Sequence, residues 1–455
     1  MRRMLLGVVL LALGACSSDD GAGSLKPHAD AGADADAASD ASDAAAEAEA
    51  ADAPDAESPP KVLLPKTGLE PAELAVLINE SDPQSVEVAA YYQDKRGIPA
   101  TNLVKLSFAV NDVMTESDFA TAKALVDALP PTIQGLVVTW TRPYRVECMS
   151  TTSAFALGFD KKYCNMTGGC GPTAAIEYED TDSVAPFTDY AIRPAMMLAA
   201  KDAAGAKALV DRGIAADDTF PTGDGWLVRT TDAARSVRWT QFVKVTQDFA
   251  HPEEMKLTYV DNSAGSGDDS IKNHSDVLFY FTGLVTVPDI ATNTYRAGAV
   301  ADHLTSFGGQ VPTSGQMSVV AWLEAGVTAS YGTVVEPCNY TSKFPDPRSL
   351  IPRYYRGATV LEAYWKSVIA PGEGLFVGEP LARPWGKSIV TWQNGTLGIL
   401  TTMLDPAHTY AVESAESEAG PFTPVSTGIS VAYHRRFQID VPNATSPVYR
   451  LVQEP

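Results

Sequence analysis

From residue 74 onward the chain alternates β-branched runs with stretches of helical period, and this constrains the fold more than any other feature. "LAVLINES" (74–81) reads as a strand closed by a polar turn. "DPQSVEVAAYYQDKRG" (82–97) then takes helical period, with Asp82 and Pro83 as a start and Gly97 as a stop. A strand at 102–108, a helix at 116–130 and a strand at 133–143 follow. A β-α-β-α-β order implies a mostly parallel sheet with helices on both faces, a three-layer Rossmann-like α/β build. Ligands in such sheets bind beyond the carboxyl ends of the strands, here near 79–82 and 139–145.

The pattern breaks at about 145–194 into Gly, Pro, Thr, Asp and cysteine, as an insertion held by function or by disulfides would. It resumes with helical period at 203–217 and 233–250, and strands at 255–262 and 276–283. "RAGAVADHLTSF" (296–307) and "SGQMSVVAWLEAG" (314–326) read as helices, 327–335 as a strand and 358–369 as a last helix. "GEGLFVGEPLARPWG" (372–386) reads as a loop that closes the α/β region, 61–386. After Gly386 short alternating runs spaced by turn residues, 387–455, suggest a small all-β sandwich of fibronectin-like size.

The first sixty residues behave differently. Arg2 and Arg3 precede an apolar run too short to span a bilayer, as in an export signal covering 1–15. "LGAC" (13–16) resembles the lipobox of bacterial lipoproteins, which would make Cys16 a lipidated N-terminus. Ser17 after it would favour the outer membrane. An ordinary secretory signal with a chance cysteine is the alternative. Residues 16–60 hold twelve acidic residues and one lysine, with nothing aromatic to bury, and read as an extended disordered tether. Without residues 1–60 the chain keeps 44 acidic against 31 basic residues and has no Lys/Arg cluster. That balance argues against a nucleic-acid partner and leaves the lipid as the expected membrane attachment.

The remaining cysteines are Cys148, Cys164, Cys170 and Cys338. In an exported chain four cysteines point to two disulfides, with three pairings open. Cys164 and Cys170 bracket a Gly-containing loop, which by subtraction would leave Cys148 for Cys338. Cys338 is in any case expected to bond within the 148–170 stretch.

"GAVADHLTSFGG", "QMSVVAWLEAGVTASYGTVVEPCNY" and "PGEGLFVGEPLARPW", with "YYQDKRGIPATNLVKL" and "GLVVTWTRPYRV" upstream, resemble a family of exported bacterial proteins of unknown function. More distantly, the order of "GLVVTW", "LFYFTG" and "GVTASYG" resembles the gingipain-type branch of caspase-like cysteine peptidases. That resemblance implies a caspase-like fold, with a His-Gly pair closing the strand matched by "LFYFTG" and a nucleophilic cysteine after the next strand. Thr282 and Gly283 stand at the first position, and "ADHLTSFGG" at the second contains no cysteine. Both departures speak against that peptidase mechanism.

Asp302, His303 and Glu336 are the candidate pocket or catalytic residues, on segments such a fold brings to one sheet edge. The bland reading is a histidine satisfied by a carboxylate. The alternative function is a hydrolase, cysteine peptidase-like or metal-assisted, using His303 with Cys338, Asp302 or Glu336; as a nucleophile Cys338 is set against its disulfide reading. Arg142, Arg145 and Arg193 border the insertion as a candidate anion clamp. No zinc spacing occurs; "EYEDTDS" (177–183) allows calcium but lacks the Gly and terminal Glu of an EF-hand loop, so an exposed acidic loop is the alternative. The expectation is a lipid-anchored envelope protein, a non-peptidase binding or scaffold module for peptide or glycan.

Overall fold

The alternation becomes β1 (Lys61–Leu63), β2 (Leu74–Asn79), α1 (Pro83–Arg96), β3 (Leu103–Leu106), β4 (Val113–Met114), α2 (Glu116–Asp127) and β5 (Gly135–Val138). The computed structural model describes residues 59–165, 170–251 and 255–454. The expected leader, Cys16 and all but the last two residues of the expected tether lie outside the described residues. Local chemistry sets the helix ends as expected: Asp82 accepts from Gln84 N, Pro83 opens α1, and Gly97 closes it at φ 64°.

The insertion supplies β6 (Arg145–Val146), β7 (Met149–Ser150), α3 (Thr151–Leu157) and α4 (Pro186–Tyr190). Then come β8 (Ala195–Met197), α5 (Ala203–Ala216), β9 (Gly223–Arg229), α6 (Trp239–Asp248), β10 (Met255–Asp261), β11 (Val277–Thr282) and β12 (Tyr295–His303). α7 (Val320–Ala325), β13 (Ala329–Thr333), α8 (Pro347–Tyr355), α9 (Val360–Trp365) and β14 (Gly374–Gly378) complete the α/β part.

Ten strands form one large mixed sheet in the order β10-β9-β11-β12-β13-β14-β8-β5-β2-β3. β10, β9, β11, β12 and β13 run parallel in one group, and β8, β5, β2 and β3 in the other. β14 joins the groups, antiparallel to β13 and touching β8 through a single bridge, Val377 to Met197. Ser150 and Ser153, beyond the carboxyl end of β5, donate to the Gly374 carbonyl. Thr333 at the end of β13 pairs with Gly374 and donates to the carbonyls of Thr305 and Ser306. The carboxyl ends of β5, β12 and β13 therefore share one edge.

β8, β9 and α8 have no counterpart in the sequence reading, and two further segments take another form than expected. Residues 296–307, expected as a helix, contribute β12, because Ala299, Val300 and Ala301 are buried on both faces and carry no period-2 signal. Pairing with β11 and β13 decides such a run. The expected loop at 372–386 contains β14. Its glycines are required by close approach: a Cβ at Gly374 would overlap the Tyr331 ring, and Gly378 holds φ 146° against Ala329.

Six further strands match the alternating runs after Gly386: β15 (Ile389–Gln393), β16 (Thr396–Thr401), β17 (Tyr410–Ala415), β18 (Thr423–Ile429), β19 (Phe437–Val441) and β20 (Val448–Gln453). They form a sheet β15-β16-β19 and a sheet β1-β20-β17-β18. Leu397, Ile399 and Ile439 from the first meet Val412, Tyr449 and Leu451 from the second in one apolar cluster. β1, which the sequence reading counts in the α/β region, pairs instead with β20, and the described residues form one compact unit.

Candidate functional site

Asp302 and His303 are neighbours on β12, so their side chains leave opposite faces of the sheet. Asp302 lies on the face of Phe281 and Val300, where Arg238 at the head of α6 reaches it at 2.6 Å. Both side chains are 1% exposed. Arg238 also donates to the carbonyls of Thr282 and Pro345. Burial pushes the Asp302 carboxyl above its ordinary value, with Arg238 opposing it. Asp302 Oδ2 and Arg238 Nε have no hydrogen-bond partner.

His303 lies on the other face, where Trp322 Nε1 donates to its Nδ1 at 3.0 Å. Nδ1 is thus an acceptor and the proton belongs on Nε2, which makes no hydrogen bond of good geometry; a weak backbone interaction with Met317 favours the protonated ring. Burial, aided by Arg238 and Arg235, holds the imidazole down at about 3. An imidazole that stays neutral, with its acceptor nitrogen occupied, is a poor general base near neutral pH.

Glu336 Oε1 accepts from the Cys338 amide at 2.7 Å, within its own turn. Cys338 is bonded to Cys170, and Cys148 to Cys164. The pairing expected by subtraction is therefore corrected, while the expectation that Cys338 bonds within the 148–170 stretch is met. A thiol held in a disulfide is no nucleophile. Asp302, His303, Glu336 and Cys338 do not converge. A second buried ion pair, Lys343 with Glu373 at 2.8 Å, fills the same edge.

The arginine clamp does not form either. Arg193 donates to the carbonyls of Leu129, Pro130 and Ile133 ahead of β5 and stacks on Phe187. Arg142 and Arg145 follow β5 at the opposite edge, pairing with Asp112 and with the Glu147 carbonyl. In the candidate calcium segment Asp180 is engaged by Arg353 at 2.9 Å, and Thr181 donates to the Tyr178 carbonyl. Among the described residues no three His, Cys, Asp or Glu side chains converge on a metal position.

A cavity of about 490 Å³ lies elsewhere, between residues 63–67, helices α8 and α9, and strands β17 and β20. Its volume falls in the range of small-ligand sites, roughly 300–1,000 Å³. Leu63, Leu64, Met403 and Leu451 give it an apolar wall, and Arg353, Arg356 and Lys366 a cationic one. Arg356 pairs with Asp405 at 2.9 Å, and Arg353 with Asp180.

Lys366 differs from these. It is 4% exposed, lines the cavity, lies 5.3 Å from the centre of the Tyr178 ring, and has no carboxylate within ion-pair distance among the described residues. Burial lowers its pKa to about 8. Glu362, one turn earlier on α9, already accepts from Leu69 N, Thr359 N and Thr359 Oγ1 through Oε2. Glu362 Oε1, Tyr178 Oη and Arg353 Nε are buried without partners around this lysine. Of these three residues only Arg353 lines the cavity.

Sequence reasoning missed this site. The available signal was the Glu362–Lys366 pair, four residues apart in the otherwise apolar "ATVLEAYWKSVI", since lysine is almost never fully buried without a partner.

No family model matches the chain, so the resemblance to an exported bacterial family has no counterpart there, and no curated protein matches. Among solved structures, the crystal structure of the Arg specific cysteine proteinase gingipain R is similar at 9% identity and a TM-score of 0.40. The match covers 86% of this chain and 99% of that one. It is a distant caspase-like resemblance that assigns no residue role here.

Proposed function

We propose that this chain is a lipid-anchored protein of the cell envelope, held at the outer membrane through Cys16. Its folded part is a binding or scaffold module without peptidase activity, and it takes up peptide or glycan in the cavity beside Lys366. On this reading the large sheet is a three-layer caspase-like core and the two small sheets a fibronectin-like sandwich packed against it. The observation that carries the reading is the cavity itself, where Lys366, with no carboxylate in contact, and an apolar wall meet. Two disulfides suit an oxidising compartment, and among the described residues no helix is long and apolar enough to cross a membrane.

The reading is tested by titrating short peptides and oligosaccharides into the protein, and into a Leu64→Trp variant whose indole narrows the cavity mouth. Binding that the variant loses supports it; binding that the variant keeps places the ligand elsewhere. For the anchor, Cys16→Ser should move the protein from the membrane to the soluble fraction, and unchanged membrane association would refute lipidation.

A further inference from the structure

Resting on the reading of the cavity as a ligand site, we infer that it selects a monoanionic carboxylate attached to an apolar body, with Lys366 as the residue that meets the carboxylate. Three observations support this. Of the five cations on the lining four meet a carboxylate: Arg356 is matched by Asp405, Arg353 by Asp180, Arg450 by Glu413 and Lys66 by Glu73. Lys366 remains without an anion in contact, and Asp182, the other acid on the lining, is exposed at the rim. One cation without a carboxylate in contact offers a single charge-assisted hydrogen bond, which suits a carboxylate better than a dianionic phosphate ester.

Burying an unmatched ammonium is costly, and Lys366 bears that cost in the unliganded chain. A bound carboxylate would supply the missing counter-charge in a partly dry site, where a charge-assisted hydrogen bond is strong. The aliphatic part of such a ligand would lie on Leu63, Leu64, Met403 and Leu451. The carboxylate can come from the C-terminus of an apolar peptide or from a fatty acid, and the two sources are separable by experiment.

The test titrates four probes by calorimetry: acetyl-Leu-Leu with a free carboxylate, its C-terminal amide, decanoate and decanol. At least one acid should bind, at least tenfold more tightly than its neutral counterpart, and the acid that binds identifies the source. Lys366→Met should remove that preference while its thermal midpoint stays unchanged or rises, because the variant no longer buries an unmatched charge. A purely structural lysine would instead lower the midpoint when replaced.

Equal binding of acid and neutral probe, both lost in Leu64→Trp, would overturn the carboxylate assignment and leave the cavity reading standing. Undiminished acid preference in Lys366→Met would overturn the role of that residue. Failure of all four probes to bind would overturn the carboxylate assignment, and the cavity reading would then stand or fall on the wider peptide and glycan titration.

Discussion

Two buried charges distinguish two regions of this molecule. At the carboxyl edge of the large sheet Asp302 is met by Arg238 at 2.6 Å, and no side chain of the pair reaches solvent. Beside the C-terminal sheets Lys366 is also buried, yet it faces a cavity and has no carboxylate in contact among the described residues. A buried charge with a close partner holds elements in place, here α6 against β12. A buried charge without one disfavours the unliganded fold unless an external group compensates it, which is why the second region, and not the first, reads as functional.

The largest effect should come from breaking the paired site. Asp302→Ala leaves Arg238 buried and alone, and chemical denaturation should show a loss of about 3–5 kcal/mol. The double variant Asp302→Leu with Arg238→Met should recover most of it. If the single variant loses under 1 kcal/mol, the pair is no structural clamp and the contrast with Lys366 weakens.

Next in size is the disulfide between Cys170 and Cys338, which joins residues 168 apart in sequence. Replacing both by Ser should destabilise by roughly 2–5 kcal/mol, more than the same change at Cys148 and Cys164, which lie 16 apart. Thiol counting on the denatured, unreduced Cys16→Ser protein should find none. One titratable thiol would reopen the nucleophile reading of Cys338.

His303 should sharpen the comparison through pH. Its folded-state pKa lies at about 3, below the ordinary 6.5, so between these values the unfolded chain binds the extra proton. Stability tied to the neutral imidazole is therefore complete above pH 6.5 and is lost as the pH falls towards 3. His303→Asn should flatten this acid limb by on the order of 1–3 kcal/mol, measured as the thermal midpoint between pH 7 and 4. An unchanged limb would mean that the histidine is already protonated in the fold.

Lys366→Met should give a change no larger than that at His303 and of the opposite sign. Since the folded-state pKa is depressed to about 8, the wild-type carries its full penalty below pH 8 and is relieved of it as the pH rises towards 10.5. The variant should be more stable by about 1–3 kcal/mol at pH 7, with the gain fading as the pH rises from 8 to 10.5. A loss of stability at pH 7 would place Lys366 with the structural pairs.

Much of the fold was legible because local chemistry and hydrophobic period carry it. Asp82, Pro83 and Gly97 mark the ends of α1, and all six runs after Gly386 became strands. β12 and β14 were misread for one shared reason: strands buried on both faces show no alternation, and glycines needed for close packing look like loop residues. The expected site failed more simply. Asp302 and His303 are adjacent in sequence, and adjacency in a strand separates side chains to opposite faces.

What the sequence by itself determined is the alternating α/β core, the all-β character of the last seventy residues, the acidity of the chain and the commitment of Cys338 to the 148–170 stretch. Only the tertiary structure decided which charges are matched. Periodicity and composition report what a residue prefers to be near in its own segment, whereas the partner of a buried charge comes from elsewhere in the chain: Arg238 for Asp302, sixty-four residues away, and for Lys366 no carboxylate in contact among the described residues.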